Sequence, residues 1–174
     1  MCSSDLNTPY IGLEHMPRGT IELNEWGEAK DVESGKVSFY REEILFGKLR
    51  PYFRKVGIAP VDGITSTDVL VIKPHPMWQG YVLFLVSSEE FVDAMTGSSS
   101  GTRMPRAAWN DLANYQIVIP PEKLAEVFAR EISPLIKQIQ ASSFESAYLE
   151  QLRDALLPRL LSGELEVADW GEAI

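Results

Sequence analysis

From Ser133 to Leu161 the chain contains no glycine and only two prolines, Pro134 and Pro158. Leucines recur there at 149, 152, 156 and 160. That three-four-four rhythm places one apolar seam along a long helix. The sequence predicts that this helix starts at Ser133–Pro134, an N-cap residue followed by proline at the first helical position. Running to about residue 157, it would be roughly 36 Å long at 1.5 Å per residue. Such an arm cannot bury its own seam, so it implies a partner helix. A shorter helical stretch, "EKLAEVFAREI", precedes it.

Up to about Pro121 the texture differs. Short apolar runs lie between glycines and prolines, and "TPYIGLEH", "EEILFGKL", "VGIAPV", "DVLVIKP" and "YQIVIP" read as strands. "QGYVLFLVSSEEFVDAMTG" has helical spacing and ends on Gly97, a C-cap residue. The expected class is therefore α+β: a small mixed-sheet domain followed by a long C-terminal helix that forms a coiled-coil arm. No apolar run reaches the ~20 residues of a membrane helix, and the N-terminus lacks the pattern of a secretory signal. Cys2 has no partner for a disulfide, and His15 and His75 cannot fill a zinc site. The chain reads as cytoplasmic and free of cofactors.

Charge is unevenly spread in a chain of net charge −9. Residues 1–35 carry two basic and seven acidic side chains, and residues 107–174 carry five and eleven. Residues 36–106 carry nine and seven. Within that middle, "FGKLRPYFRK" (Phe46 to Lys55) packs four cations and three aromatics into ten residues, and Arg103 and Arg106 follow later. A local patch of this kind attracts phosphate over a Debye length of ~8 Å, whatever the net charge. Gly47 and Pro51 break regularity, so the cations belong to a strand end or turn, with Tyr52 and Phe53 as stacking surfaces between them. The plain alternative is a strand edge with solvated cations. "TGSSSGTR" lacks the spacing and the lysine of a nucleotide-binding loop. It reads either as a surface loop or as a donor-rich loop ending in arginines suited to phosphates and guanine edges.

Catalytic patterns do not assemble. "EAK" (Glu28 to Lys30) matches the bare E-x-K of metal-dependent nucleases, but in an acidic, non-strand context. "LRPYF" and "IPPEKL" lack the Asn or Asp that would bond a flipped adenine, and no Gly-rich cofactor loop accompanies them. His15 and His75 read as turn or surface residues, with no Ser/His/acid constellation.

Taken together, "YIGLEHM", "ILFGKLRPYFRKV", "DGITSTDVLVIKP", "SGTRMPRAAW", "QIVIPP" and "LRDALLPRLLSGELEV" resemble the DNA-specificity subunit of type I restriction–modification systems, in family order from Tyr10 to Val167. The resemblance implies a target recognition domain over residues 7–121 that reads one half of a bipartite duplex DNA site. A helical conserved region over 122–164 and a tail over 165–174 follow. It implies a non-catalytic subunit that directs methylation and restriction, whose helix docks the methyltransferase subunit and, through it, the restriction subunit. Complete subunits carry two such units with paired helices. Here only one is present, so a second specificity half, or a second copy through Leu149, Leu152, Leu156 and Leu160, is the expected helix partner. The alternative is a truncated interaction remnant that scaffolds the methyltransferase without reading DNA. Residues 1–6 read as an artefactual leader, and the family's usual opening segment is missing before "PYI", as in a gene truncated upstream. Carried onto matching positions, DNA contacts fall on Lys48, Arg50, Tyr52, Arg54, Lys55, Ser66, Thr67, Ser100, Gly101, Thr102, Arg103 and Arg106. Lys48, Lys55 and Arg106 are expected on phosphates, and Arg50 and Arg103 on guanine.

Overall fold

The strand Ile44–Gly47 is buried along its whole length, and its side chains alternate between two separate cores. Ile44 and Phe46 point to one side and Leu45 to the other, as a period of two requires. This places the strand in the middle layer of the molecule. In the computed structural model, which describes residues 7–31, 35–98 and 104–165, the strands are β1 (Pro9–Ile11), β2 (Gly27–Glu28), β3 (Lys36–Phe39), β4 (Ile44–Gly47), β5 (Val56–Ile58), β6 (Gly63–Ser66) and β7 (Val69–Ile72). The helices are α1 (Gln79–Ser87), α2 (Glu89–Ser98), α3 (Trp109–Ala113) and α4 (Glu122–Leu161).

Two sheets form. One has the order β2-β1-β6-β3, with β1 and β6 parallel and the other pairs antiparallel. The other is antiparallel, β5-β4-β7, with Ile44 opposite both Ile58 and Ile72. Leu45 and Val69 face Ile11, Met16, Leu23 and Phe39 of the first sheet and its connections. Ile44, Phe46, Val56 and Ile72 face Leu83 and Val86 of α1, Phe91 and Met95 of α2, and Ile136 of α4. The result is an α+β domain of sheet, sheet and helices, with a long helix attached. At the α1–α4 crossing a methyl group on Gly80 would lie 3.1 Å from Ile132 Cγ2, so the glycine sets the closeness of the two helices.

Four strands expected from the apolar runs are present as β1, β4, β5 and β7. Four other expectations are corrected. "YQIVIP" is not a strand: residues 115–120 join no ladder, and Val118 and Ile119 are 83% and 72% exposed. It is anchored by the Tyr81 hydroxyl, which donates to the Val118 carbonyl, and by the Tyr115 ring, 4.9 Å from Phe91. The helix expected over 79–97 is two helices, because Ser88 is extended (ψ 154°) and its Oγ accepts from the Phe91 N–H at 3.2 Å, starting a new helix. Gly97 caps nothing, since α2 continues through it to Ser98. Finally, no helix begins at Pro134. α4 runs unbroken for 40 residues, about 60 Å. Proline there removes the N–H that would bond the Arg130 carbonyl. Ile132 and Ile136, on either side of it, both pack on the α1 core, and that packing carries the helix through. No helix among the described residues is long and apolar enough to cross a membrane.

Candidate nucleic-acid interface

After β4 the chain makes a tight turn, and three segments distant in sequence meet there. The Lys48 N–H donates to the Asp68 carbonyl at 2.9 Å, joining the turn to the β6–β7 connection, where Ser66 ends β6 and Thr67 follows. The Arg50 N–H donates to the Pro105 carbonyl at 2.8 Å, the Ala107 N–H donates to the Lys48 carbonyl at 3.0 Å, and Leu49 bridges Arg106. Lys48, Arg50, Ser66, Thr67 and Arg106 are thus brought together by backbone hydrogen bonds. Arg50 and Arg54 bracket the turn Pro51–Phe53 with positive φ of 52° and 49°. Each such residue costs about 1–2 kcal/mol relative to ordinary backbone. The Phe53 N–H to the Arg50 carbonyl and the Arg54 N–H to the Pro51 carbonyl hold the conformation. Tyr52 stands out at the apex, 47% exposed, with its ring 4.7 Å from that of Phe53.

The cations differ in how far they are already neutralised. Lys48 makes no ion pair among the described residues, and Arg50 has only a distant contact, 5.9 Å from the Phe53 ring. Arg106 Nε lies 3.1 Å from Asp68 Oδ1. Arg54 pairs with Glu89, and that guanidinium holds the Glu89 carboxyl below its usual pKa. The Lys55 ammonium donates to the Leu13 carbonyl, and its pKa is lowered by burial and then by Arg18. Ser66 Oγ accepts from the Asp68 N–H at 3.3 Å and so shapes the connection, while Thr67 is exposed. Ser100, Gly101, Thr102 and Arg103 lie outside the described residues.

Three residues of this face were not singled out by sequence. The Arg18 guanidinium sits 3.6 Å from the centre of the Phe53 ring, brought there from an upstream loop. Met104 and Trp109, each 51% exposed, flank Arg106. A lone arginine in "MPRGT" carries no sequence signal, because only the tertiary fold places it beside the turn.

Elsewhere, Glu28 and Lys30 form an ion pair with each other, and Glu28 lies on β2 rather than in the non-strand context expected. His15 and His75 each accept a backbone N–H in a turn. Along α4 the inward face is marked by Ala125, Ile136 and Ser143, and Phe144 meets Trp26 edge-on at 6.0 Å. Steps of about 100° per residue put Leu149, Leu152, Leu156 and Leu160 on one line. That stripe is centred about 140° around the helix from the inward face. Leu149, Leu152 and Leu160 are 53%, 41% and 40% exposed, and Leu156 is half-buried.

A small two-sheet domain continued by one long helix is a fold that this chain shares with solved chains of type I restriction–modification systems. The HsdS subunit from Thermoanaerobacter tengcongensis superposes with a TM-score of 0.61 at 17% identity, covering 96% of this chain and 45% of that one. A second solved chain, from work on complex assembly and conformational transition of the type I R-M system, gives 0.62 at 20% identity, with 96% and 45% covered. At these identities the likeness is one of fold. In sequence the chain is 26% identical over 165 residues to the type I restriction enzyme MjaIX specificity subunit of Methanocaldococcus jannaschii, covering 92% of this chain. It is 27% identical over 173 residues to the EcoDI specificity subunit of Escherichia coli, covering 94%. It spans 38% of the length of each of these two relatives. No family model matches.

Proposed function

We propose that this chain is a DNA-reading unit of a type I restriction–modification specificity subunit, without catalysis of its own. It would take duplex DNA on the face around Lys48, Arg50 and Tyr52, and its helix would join a methyltransferase assembly. The observation that carries the reading is the convergence of the 48–54 turn, the 66–68 connection and the 105–107 segment. Backbone hydrogen bonds bring all three to one end of the middle sheet. A rigid scaffold that presents loops is how binding residues are usually positioned. Phosphate contacts there would fix register, and base edges would be read by the turn and by residues 100–103. The domain is assigned to residues 7–121 and the helical region to 122–164. The seam at Leu149, Leu152, Leu156 and Leu160 is assigned to the helix of a second specificity half or a second copy.

The test is co-purification with a cognate type I methyltransferase subunit, followed by mapping of adenine methylation on genomic DNA. Methylation at a bipartite or palindromic motif, present only with this chain, is the expected result. A complex that forms without any methylation would replace DNA reading with a scaffolding role. Failure to form a complex would remove the methyltransferase as partner.

A further inference from the structure

We infer that Arg18 and Arg54 form an additional phosphate-contact point on the DNA-facing surface, held in the free chain by the Glu89 carboxylate, which a DNA phosphate replaces. The inference rests on the DNA-reading function proposed above and adds to it Arg18, which no motif marks, and the exchange of the Glu89 partner of Arg54. Phe53 is its centre. Arg18 lies 3.6 Å from that ring and Arg50 lies 5.9 Å from it, so the ring carries a guanidinium from each of two separate segments. The Arg18 loop is tied to the turn by the Gly19 N–H, which donates to the Arg54 carbonyl at 3.1 Å. Gly19 takes a positive φ of 70° in making that approach.

Between the Arg18 loop and Arg54 lies a hollow of about 280 Å³ lined by Gly19, Thr20, Ile21, Arg54, Val56 and Ser87. The Ser87 hydroxyl is committed to the Leu83 carbonyl at 2.7 Å, but the Thr20 hydroxyl accepts from the Glu22 N–H and so can donate, with the Arg54 guanidinium, to the oxygens of a phosphodiester. Arg18 is exposed and has no carboxylate partner among the described residues, so its charge is uncompensated. Glu89 is 72% exposed and contacts Arg54 through one carboxylate oxygen. A carboxylate there makes the same charge-assisted hydrogen bond as a phosphate would. It can swing out into water without disturbing the core, because it is a surface side chain at the start of α2. Bound phosphate would leave Glu89 as a repelling neighbour. This gives the two residues opposite expected effects on the same measurement.

The experiment is fluorescence anisotropy of a labelled duplex with the full chain, titrated from about 50 to 200 mM salt. Arg18→Gln removes the charge but keeps an alkyl stem over Phe53, and Arg18→Lys keeps the charge. With a slope contribution of ~0.9 per phosphate, Arg18→Gln should flatten the salt dependence by about that amount and weaken binding roughly eightfold at 0.1 M salt. Arg18→Lys should retain the wild-type slope. Glu89→Gln should bind more tightly than wild type at every salt concentration. Circular dichroism melts check that each variant is folded. An unchanged slope for a folded Arg18→Gln, or unaltered affinity for Glu89→Gln, overturns the inference while leaving DNA reading intact. If the wild-type chain fails to bind duplex even at low salt, the DNA-reading function falls and this inference falls with it.

Discussion

Replacing Leu149 and Leu152 together by glutamate separates folding from assembly. Both residues lie on α4 beyond the part that packs on the domain, and they remain 53% and 41% exposed. Together they leave uncovered nearly the surface of one whole leucine side chain. Burying that much apolar surface is worth about 2 kcal/mol per chain. A partner helix covering the seam would therefore lose about 2 kcal/mol of association from each substituted chain, roughly thirtyfold in binding constant. Placing a carboxylate against an apolar partner adds to the loss. Folding should barely notice, because surface substitutions of this kind stay within about 0.5 kcal/mol. Sedimentation velocity, or pull-down with the methyltransferase subunit, reads the assembly, and a thermal melt reads the fold. The expected pattern is a changed sedimentation profile or a lost complex at an unchanged Tm. Unchanged assembly would show that this line of leucines faces no partner. A Tm lowered by many degrees would show that it packs on the domain itself.

Other outcomes follow from particular contacts. Lys48→Ala should weaken binding to all duplex sequences and reduce the salt slope by ~0.9, and an unchanged slope would remove Lys48 from the interface. Phe46→Ala takes away a ring that is 1% exposed and 5.6 Å from Phe91, so it should cost about 3–5 kcal/mol in denaturant unfolding. The Glu89 carboxyl should titrate, by NMR, at lower pH in the wild type than in Arg54→Ala. Its pKa is depressed by the guanidinium, so the pair is complete above the ordinary glutamate pKa and is lost as pH falls through the lowered one.

Where an apolar run coincided with a paired strand, the sequence was legible. β4 and β7 read directly because their side chains fill two cores in alternation. β6 did not, since "GITS" has one large apolar residue, and its Thr65 is buried because its hydroxyl donates to the Ile11 carbonyl. "YQIVIP" failed for the opposite reason: the run is apolar enough, but no neighbouring strand pairs with it. At Ser133–Pro134 a strong local start signal lost to tertiary packing, because the cost of one missing hydrogen bond is offset by Ile132 and Ile136 seating on the same core. Of the candidate site, Lys48, Arg50 and Arg106 were legible as cations in an unusual cluster. That Arg54 is paired with Glu89 and Lys55 is turned to Leu13 could not be, because those partners come from elsewhere in the fold. Arg18 was invisible for the same reason.

The pairing pattern also resolves how a chain of net charge −9 can present a locally cationic face. Charge counts treat every lysine and arginine alike, whereas the long-range field of a tight ion pair largely cancels. Among the described residues around the turn, Asp68 and Glu89 remove Arg106 and Arg54 from that field and Lys55 is turned to the Leu13 carbonyl, leaving Arg18, Lys48 and Arg50 as the other cations without a carboxylate partner. Those three lie around Phe53 and the end of β4. The excess acid lies mainly in the first 35 residues and from 107 onward, the latter span including the helical arm. On the proposed function, an approaching duplex would meet a few uncompensated charges held by a fixed turn, with the acidic arm's field damped by salt over ~8 Å. Exchange of Glu89 for phosphate would add Arg54 to them only on contact. Part of the attraction would then arise at short range, where register is set, rather than during the approach.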